Sequence, residues 1–99
     1  MAYRLDFTEQ FEITTAKTAK WLKKEWSFKS AQSFQDKLAV AIEKVVSNPF
    51  IGQRSGKFED VRSVLVTRYN RLYYRITDTT ITFLELVELK QSPHRNRYE

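Results

Sequence analysis

The stretch VRSVLVTRYNRLYYRITDTTITFLELVEL, residues 61–89, decides the fold. Within it, apolar and polar side chains alternate with a period of two, which is typical of half-buried β-strands. We predict strands over residues 61–66, 71–77 and 80–89, separated by turns at residues 68–70 and 78–79. Three short strands joined by tight turns predict an antiparallel meander.

Upstream of the meander, the pattern predicts one more strand and two helices. Residues 2–7, AYRLDF, alternate like a strand, and residues 8–26 change to helical spacing with Thr8 as the capping residue. A second helix is expected from a cap at Ser30 through Val45. It should stop at Asn48-Pro49, because the residue before a proline avoids the helical conformation. Residues 48–57, NPFIGQRSGK, are typical of a loop.

The predicted order is therefore β-α-α-β-β-β, an α+β fold in which a helical hairpin packs on a small, mainly antiparallel sheet. Ninety-nine residues suit a single domain over 1–99. We expect Trp21 and Trp26 to pack in the core or the helical hairpin and Tyr74 to pack beneath the sheet, with Tyr73 left open.

The composition excludes several classes of site. The chain has no cysteine and one histidine, His94, so neither a thiolate site nor a multi-histidine metal site can form. The sequence contains no phosphate loop and no dinucleotide fingerprint, and no cofactor or metal is expected. The N-terminal residues lack the apolar run of a signal peptide, and we expect a soluble, cytoplasmic protein without membrane contacts.

Basic residues outnumber acidic ones by 17 to 12, which favours acidic or polyanionic partners. Lysines dominate the first half of the chain and arginines the second. Because the guanidinium fork binds phosphate or carboxylate through two contacts, the second half should carry the working surface.

Several segments together resemble the RelE/ParE superfamily, the small toxins of type II toxin-antitoxin systems. They are YRLDFT, a helix ending in KKEW, SFQDKLAVAIEKVVSNPFIGQR, VRSVLV, RLYYRI and the tail KQSPHRNRY. The resemblance implies growth inhibition, neutralisation by a cognate antitoxin, and either DNA gyrase or the ribosome with its mRNA as the target.

The candidate site residues come from strand parity and from this resemblance. Arg71 and Arg75 share one strand face, and we expect Arg62 on the preceding strand to converge with them on a phosphate. The alternative is that these arginines lie on a solvated sheet face or pair with Glu85 and Glu88. Target or nucleic-acid binding is further expected of the two arginines in the tail, Arg95 and Arg97.

Nuclease members of the superfamily imply a catalytic set, which in this chain consists of Arg62, Arg71, His94 and Tyr98. Metal-free RNA cleavage needs a base, an acid and a cation for the phosphate, and these side chains can divide those roles. For His94, which follows Ser92-Pro93 in a polar tail, an exposed histidine without a role is the commoner case. Val64 stands where some members carry a lysine, so the set is incomplete. We therefore favour a ParE-like gyrase poison, with a RelE-like ribosome-dependent endoribonuclease, or a degenerate antitoxin-binding module, as alternatives.

Overall fold

The computed structural model describes residues 2–89 and 96–99. Its elements in chain order are β1 (Arg4–Phe7), α1 (Glu9–Glu25), α2 (Phe28–Ser47), a 3-10 turn (Pro49–Ile51), β2 (Gln53–Arg54), β3 (Val61–Thr67), β4 (Asn70–Ile76) and β5 (Thr80–Glu88). The five strands form one sheet in the order β1-β5-β4-β3-β2. β1 runs parallel to β5, whereas the other neighbours are antiparallel. The α+β fold and the meander are confirmed, and β2 is a short strand within the predicted loop.

Both helices begin at a hydroxyl cap. Thr8 caps α1 as predicted, because its Oγ1 accepts a hydrogen bond from the Phe11 amide at 2.9 Å. The α2 cap is Ser27 rather than the predicted Ser30, since the Ser27 hydroxyl accepts from the Ser30 amide at 3.0 Å. The second helix thus starts earlier than expected, and only Trp26 and Ser27 join the two helices.

The main core lies between the helices and one face of the sheet. Phe34, Leu38 and Val45 on α2 meet Leu72 and Phe83 on the central strands, and all five are buried. Tyr74 is buried in this core, as expected, with its hydroxyl donating to the Pro49 carbonyl oxygen at 2.7 Å.

The prediction that packing buries both tryptophans is wrong. The exposed fractions of Trp21 and Trp26 are 49% and 71%. Phe11 and Leu22 lie on the core side of α1, so Trp21, directly before Leu22, turns away from the core. Trp26 follows the last helical residue and lies in the hairpin connection.

A second, smaller cluster covers part of the opposite face of the sheet, which we call the open face because neither helix packs on it. It consists of Val61, Tyr73 and Tyr98, with Leu84 and Val87 packed against them. Tyr98 thus covers part of the open face, whereas the two helices cover the other face of the sheet.

Candidate functional site

The predicted convergence of three arginines is wrong. Arg62 pairs with Tyr74 across the β3-β4 ladder, and cross-strand partners share a face, so Arg62 lies on the helix side of the sheet. Arg71 and Arg75 lie on the open face with Tyr73 between them. Strand parity within β4 was assigned correctly, but parity within one strand does not fix the register against its neighbour.

The open face carries one row of polar side chains across four strands. Gln53 of β2 pairs with Ser63 of β3, Ser63 pairs with Tyr73 of β4, and Tyr73 pairs with Glu85 of β5. A β-bulge at Leu84 brings Glu85 into this register, since Tyr74 next to Tyr73 pairs with Phe83. We call the four residues Gln53, Ser63, Tyr73 and Glu85 the polar row.

Arg71 leans over the β2-β3 end of the polar row. Its Nε donates to the Ser63 hydroxyl at 3.0 Å, and its Nη2 donates to Gln53 Oε1 at 3.1 Å. Both acceptors are neutral, so they orient the guanidinium without cancelling its charge. Arg71 is therefore held in a fixed direction beside an open cleft, whose lining also includes Glu88 and Glu99.

That cleft has a volume of about 340 Å³. We call it the Arg71 cleft. It is bordered by side chains of β2 and β4, by the end of β5 and by the last residues of the chain. The lining residues are Gln53, Arg71, Tyr73, Val87, Glu88, Leu89, Asn96 and Glu99.

Residues 96–99, which we call the C-terminal segment, are fixed on the open face by Tyr98. The Tyr98 ring stacks on Tyr73 with a centroid distance of 4.4 Å, and its hydroxyl donates to Glu85 Oε1 at 2.8 Å. The Ser55 hydroxyl donates to the Tyr98 carbonyl oxygen. Tyr98 is 7% exposed, and burial followed by the Glu85 contact raises the pKa of its phenol.

Glu99 completes the attachment of the C-terminal segment. One carboxylate oxygen accepts from the Tyr73 hydroxyl at 2.8 Å, and the other accepts from the Gly56 amide at 2.9 Å. Burial and then Glu99 raise the pKa of Tyr73 to about 12. Asn96 donates to the Tyr73 oxygen at 2.9 Å. The phenols of Tyr73 and Tyr98 are therefore protonated at neutral pH and act as donors rather than bases.

Two other arginines on this side of the molecule have acidic partners. Arg75 Nε lies 3.0 Å from Asp60 Oδ2, and Arg97 Nε lies 3.6 Å from Glu85 Oε1. Because these pairs partly cancel the arginine charges, Arg71 differs from them in having neutral partners.

Arg62 makes its contacts on the helix side of the sheet. Its Nη1 donates to the Gly52 carbonyl oxygen at 2.8 Å, and its guanidinium carbon lies 5.4 Å from the centroid of the Phe50 ring. The predicted residues His94 and Arg95 lie outside the described residues.

Sequence reasoning missed the partners that shape the site, namely Gln53, Ser63, Asn96 and Glu99. A serine in the otherwise valine-rich segment VRSVLV is the one signal that pointed to a polar row. Among residues 2–89 and 96–99, no cluster of three or more metal-binding side chains is found, and no helix is long and apolar enough to cross a bilayer.

Several toxin structures share this architecture. The chromosomal ParDE system from P. aeruginosa matches with a TM-score of 0.73 at 14% sequence identity, covering 88% of this chain and 96% of that chain. The E. coli DinJ-YafQ complex matches with a TM-score of 0.66 at 16% identity, with coverages of 89% and 93%. A YoeB/ParE toxin from Agrobacterium tumefaciens gives 0.62 at 14% identity, with coverages of 86% and 96%. These identities are low, so the likeness concerns the fold, which is that of small RelE/ParE superfamily toxins.

The sequence itself matches one family of such toxins. Residues 5–92 match the model of the family described as the ParE toxin of the type II toxin-antitoxin system parDE. The chain therefore belongs to the ParE toxin family, and the resemblance drawn from the sequence is confirmed. Among curated proteins, none matches the chain in sequence.

Proposed function

We propose that this protein arrests bacterial growth when free and is neutralised by a cognate antitoxin. Membership of the ParE toxin family supports this proposal, as does the likeness in fold to a protein of the chromosomal ParDE system from P. aeruginosa. The net charge of +5 suits an acidic partner, and a partly disordered acidic segment can fold while binding such a surface.

Expression in cells tests the proposal. The chain alone should stop growth, and co-expression of the product of the neighbouring short reading frame should restore it. Unimpaired growth at confirmed soluble expression would contradict toxicity. Growth arrest that no neighbouring gene product relieves would contradict neutralisation.

For the target, we favour DNA gyrase. The observation that carries this choice is the separation of Arg62 from Arg71 on opposite faces of the sheet. A nuclease needs its phosphate-binding cations and its proton-transfer groups around one phosphate. The Tyr98 phenol is also buried and occupied by Glu85, which leaves it poorly placed to exchange a proton with a substrate.

Ribosome-dependent mRNA cleavage is the second candidate. The observation in its favour is the orientation of the Arg71 guanidinium. This guanidinium is held by neutral acceptors beside an open cleft, an arrangement that suits a phosphate. If this alternative applies, the double substitution His94→Gln with Tyr98→Phe should abolish toxicity, because a lost general acid or base costs about a hundredfold or more in rate. If gyrase is the target, the same double variant should stay toxic.

A non-toxic module that only binds its antitoxin is the third candidate. It predicts a stable complex with the antitoxin but normal growth when the chain is expressed alone.

A further inference from the structure

The connected ends of α1 and α2 expose aromatic rings among lysines. Residues 17–29 contain five lysines and one glutamate, so this end of the helical hairpin is strongly basic. The exposed fractions of Trp26 and Phe28 are 71% and 61%, and that of Trp21 is 49%. We call residues 17–29 the hairpin end.

The exposure of these rings is not explained by the packing of the helices. The core side of α1 is filled by Phe11 and Leu22, and α2 enters the core through Ala31 and Phe34. Trp26 and Phe28 flank the Ser27 cap, where a small polar residue would serve the turn equally well. Large rings gathered at an exposed site are typical of contact surfaces.

The chemistry of the hairpin end suits one class of ligand. Lysine is a point charge that follows a phosphate backbone, whereas aromatic rings stack on bases of any sequence. We propose that the hairpin end binds single-stranded nucleic acid, with bases stacking on Trp26 and Phe28 and phosphates held by the lysines. This site is separate from the Arg71 cleft, and the proposal does not depend on which target the toxin inhibits.

One contact in the structure supports the pairing of ring and charge. The Lys23 ammonium lies 5.7 Å from the centroid of the Phe28 ring. A lysine over one face of a ring can take the phosphate of a nucleotide whose base stacks on the other face. Duplex DNA fits less well, because its base faces are covered by neighbouring bases and are not free to stack on Trp26 or Phe28.

The two tryptophans of the chain, Trp21 and Trp26, both belong to the hairpin end, so intrinsic fluorescence reports on it directly. Titration with oligo(dT) and with oligo(U) should quench the emission. The affinity should fall with salt, with a slope in the logarithmic plot of about −0.7 for each phosphate contact. Equal quenching by both strands identifies the shared base-and-phosphate chemistry, and a preference for one strand identifies the natural source. An oligonucleotide duplex should bind more weakly.

Variants separate stacking from charge. Trp26→Ala should weaken oligo(dT) binding about tenfold, whereas Trp26→Phe should retain most of the affinity. Lys23→Ala with Lys24→Ala should reduce the salt slope by about 1.4. Val40→Ala and Lys37→Ala, at exposed positions along α2, are the matched controls and should bind like the parent.

Three results would overturn the proposal: no quenching by either strand, equal losses in the α2 controls, or duplex binding as tight as oligo(dT) binding. Poly-glutamate that binds as tightly, with the same loss in Trp26→Ala, would assign the hairpin end to an acidic protein partner instead. A blue-shifted emission with anionic vesicles, without quenching by oligo(dT), would assign it to a membrane surface. These titrations contain neither gyrase nor ribosomes, so a negative result would not bear on the proposed target.

Discussion

Among the described arginines of the open face, Arg71 differs by its partners. Ser63 and Gln53 orient it through neutral oxygens, whereas Arg75 and Arg97 face carboxylates. A guanidinium whose direct acceptors are neutral keeps its charge available to an anionic ligand, although Glu88 and Glu99 also line the cleft. Charge-assisted hydrogen bonds contribute about 1.5–3 kcal/mol, and we expect Arg71 to contribute on that scale to target binding.

Arg71→Ala should therefore weaken toxicity by about ten- to a hundredfold in the expression needed to stop growth. Arg71→Lys should weaken toxicity nearly as much as Arg71→Ala, because a lysine keeps the charge but cannot bridge two acceptors. Lys37→Ala, at an exposed α2 position, is the control and should remain fully toxic. Growth assays, with circular dichroism to verify folding, make the measurement. A folded Arg71→Ala protein of undiminished toxicity would show that the cleft has no part in inhibition.

Gly52 is the residue whose lack of a side chain matters most for packing. A Cβ there would overlap the Tyr74 hydroxyl and stand 2.9 Å from the Ser63 carbonyl oxygen. At Gly56, the nearest atom to a Cβ would be the end of the flexible Glu99 side chain at 3.2 Å.

Gly52→Ala should thus lower the free energy of unfolding by about 2 kcal/mol, within the range of overpacked cores, and Gly56→Ala by much less. Urea denaturation measures both variants against the parent protein. Equal stability of the Gly52→Ala and Gly56→Ala proteins would contradict the close approach described here.

At the scale of elements, the C-terminal segment links the 55–56 loop, β4 and β5. Its two phenol-carboxylate contacts need protonated phenols, and the folded pKa of Tyr73 is raised to about 12 from an unfolded value of about 10. The stabilisation by this contact is therefore complete below pH 10 and is lost as the pH rises from about 10 through about 12.

Urea denaturation between about pH 8 and about pH 11 should show this loss of stability. Tyr73→Phe should lower the stability at the low end of this pH range. It should also flatten the decline at the high end, because it removes one of the two phenols whose pKa is raised and leaves that of Tyr98. A decline just as steep in Tyr73→Phe would mean that other groups cause it.

The elements also show how far the sequence could lead. Alternation over residues 61–89 predicted the meander, because one face of each strand is buried and the pattern records it. The Ser27 cap was missed, since Ser27 and Ser30 are both competent caps and only the start of the helix distinguishes them. The polar row could not be predicted from the sequence, because it depends on the register of four strands and on a bulge at Leu84. The contact of Glu99 with Tyr73 joins residues far apart in the chain, and no local pattern encodes such a contact.

At the scale of the whole molecule, the two helices cover one face of the sheet and the C-terminal segment covers part of the other. This arrangement leaves two separate surfaces, the Arg71 cleft and the hairpin end. The gyrase proposal places inhibition on surface contacts of this kind, whereas the nuclease alternative requires a chemical centre in the cleft.

Incubation of the purified protein with gyrase, ATP and supercoiled plasmid tests the central claim most directly. The proposed function predicts linear plasmid carrying covalently attached gyrase, formed equally by the parent protein and by the His94→Gln, Tyr98→Phe double variant, and in smaller amount by Arg71→Ala. Intact plasmid, together with mRNA cut on translating ribosomes by the parent but not by the double variant, would contradict it.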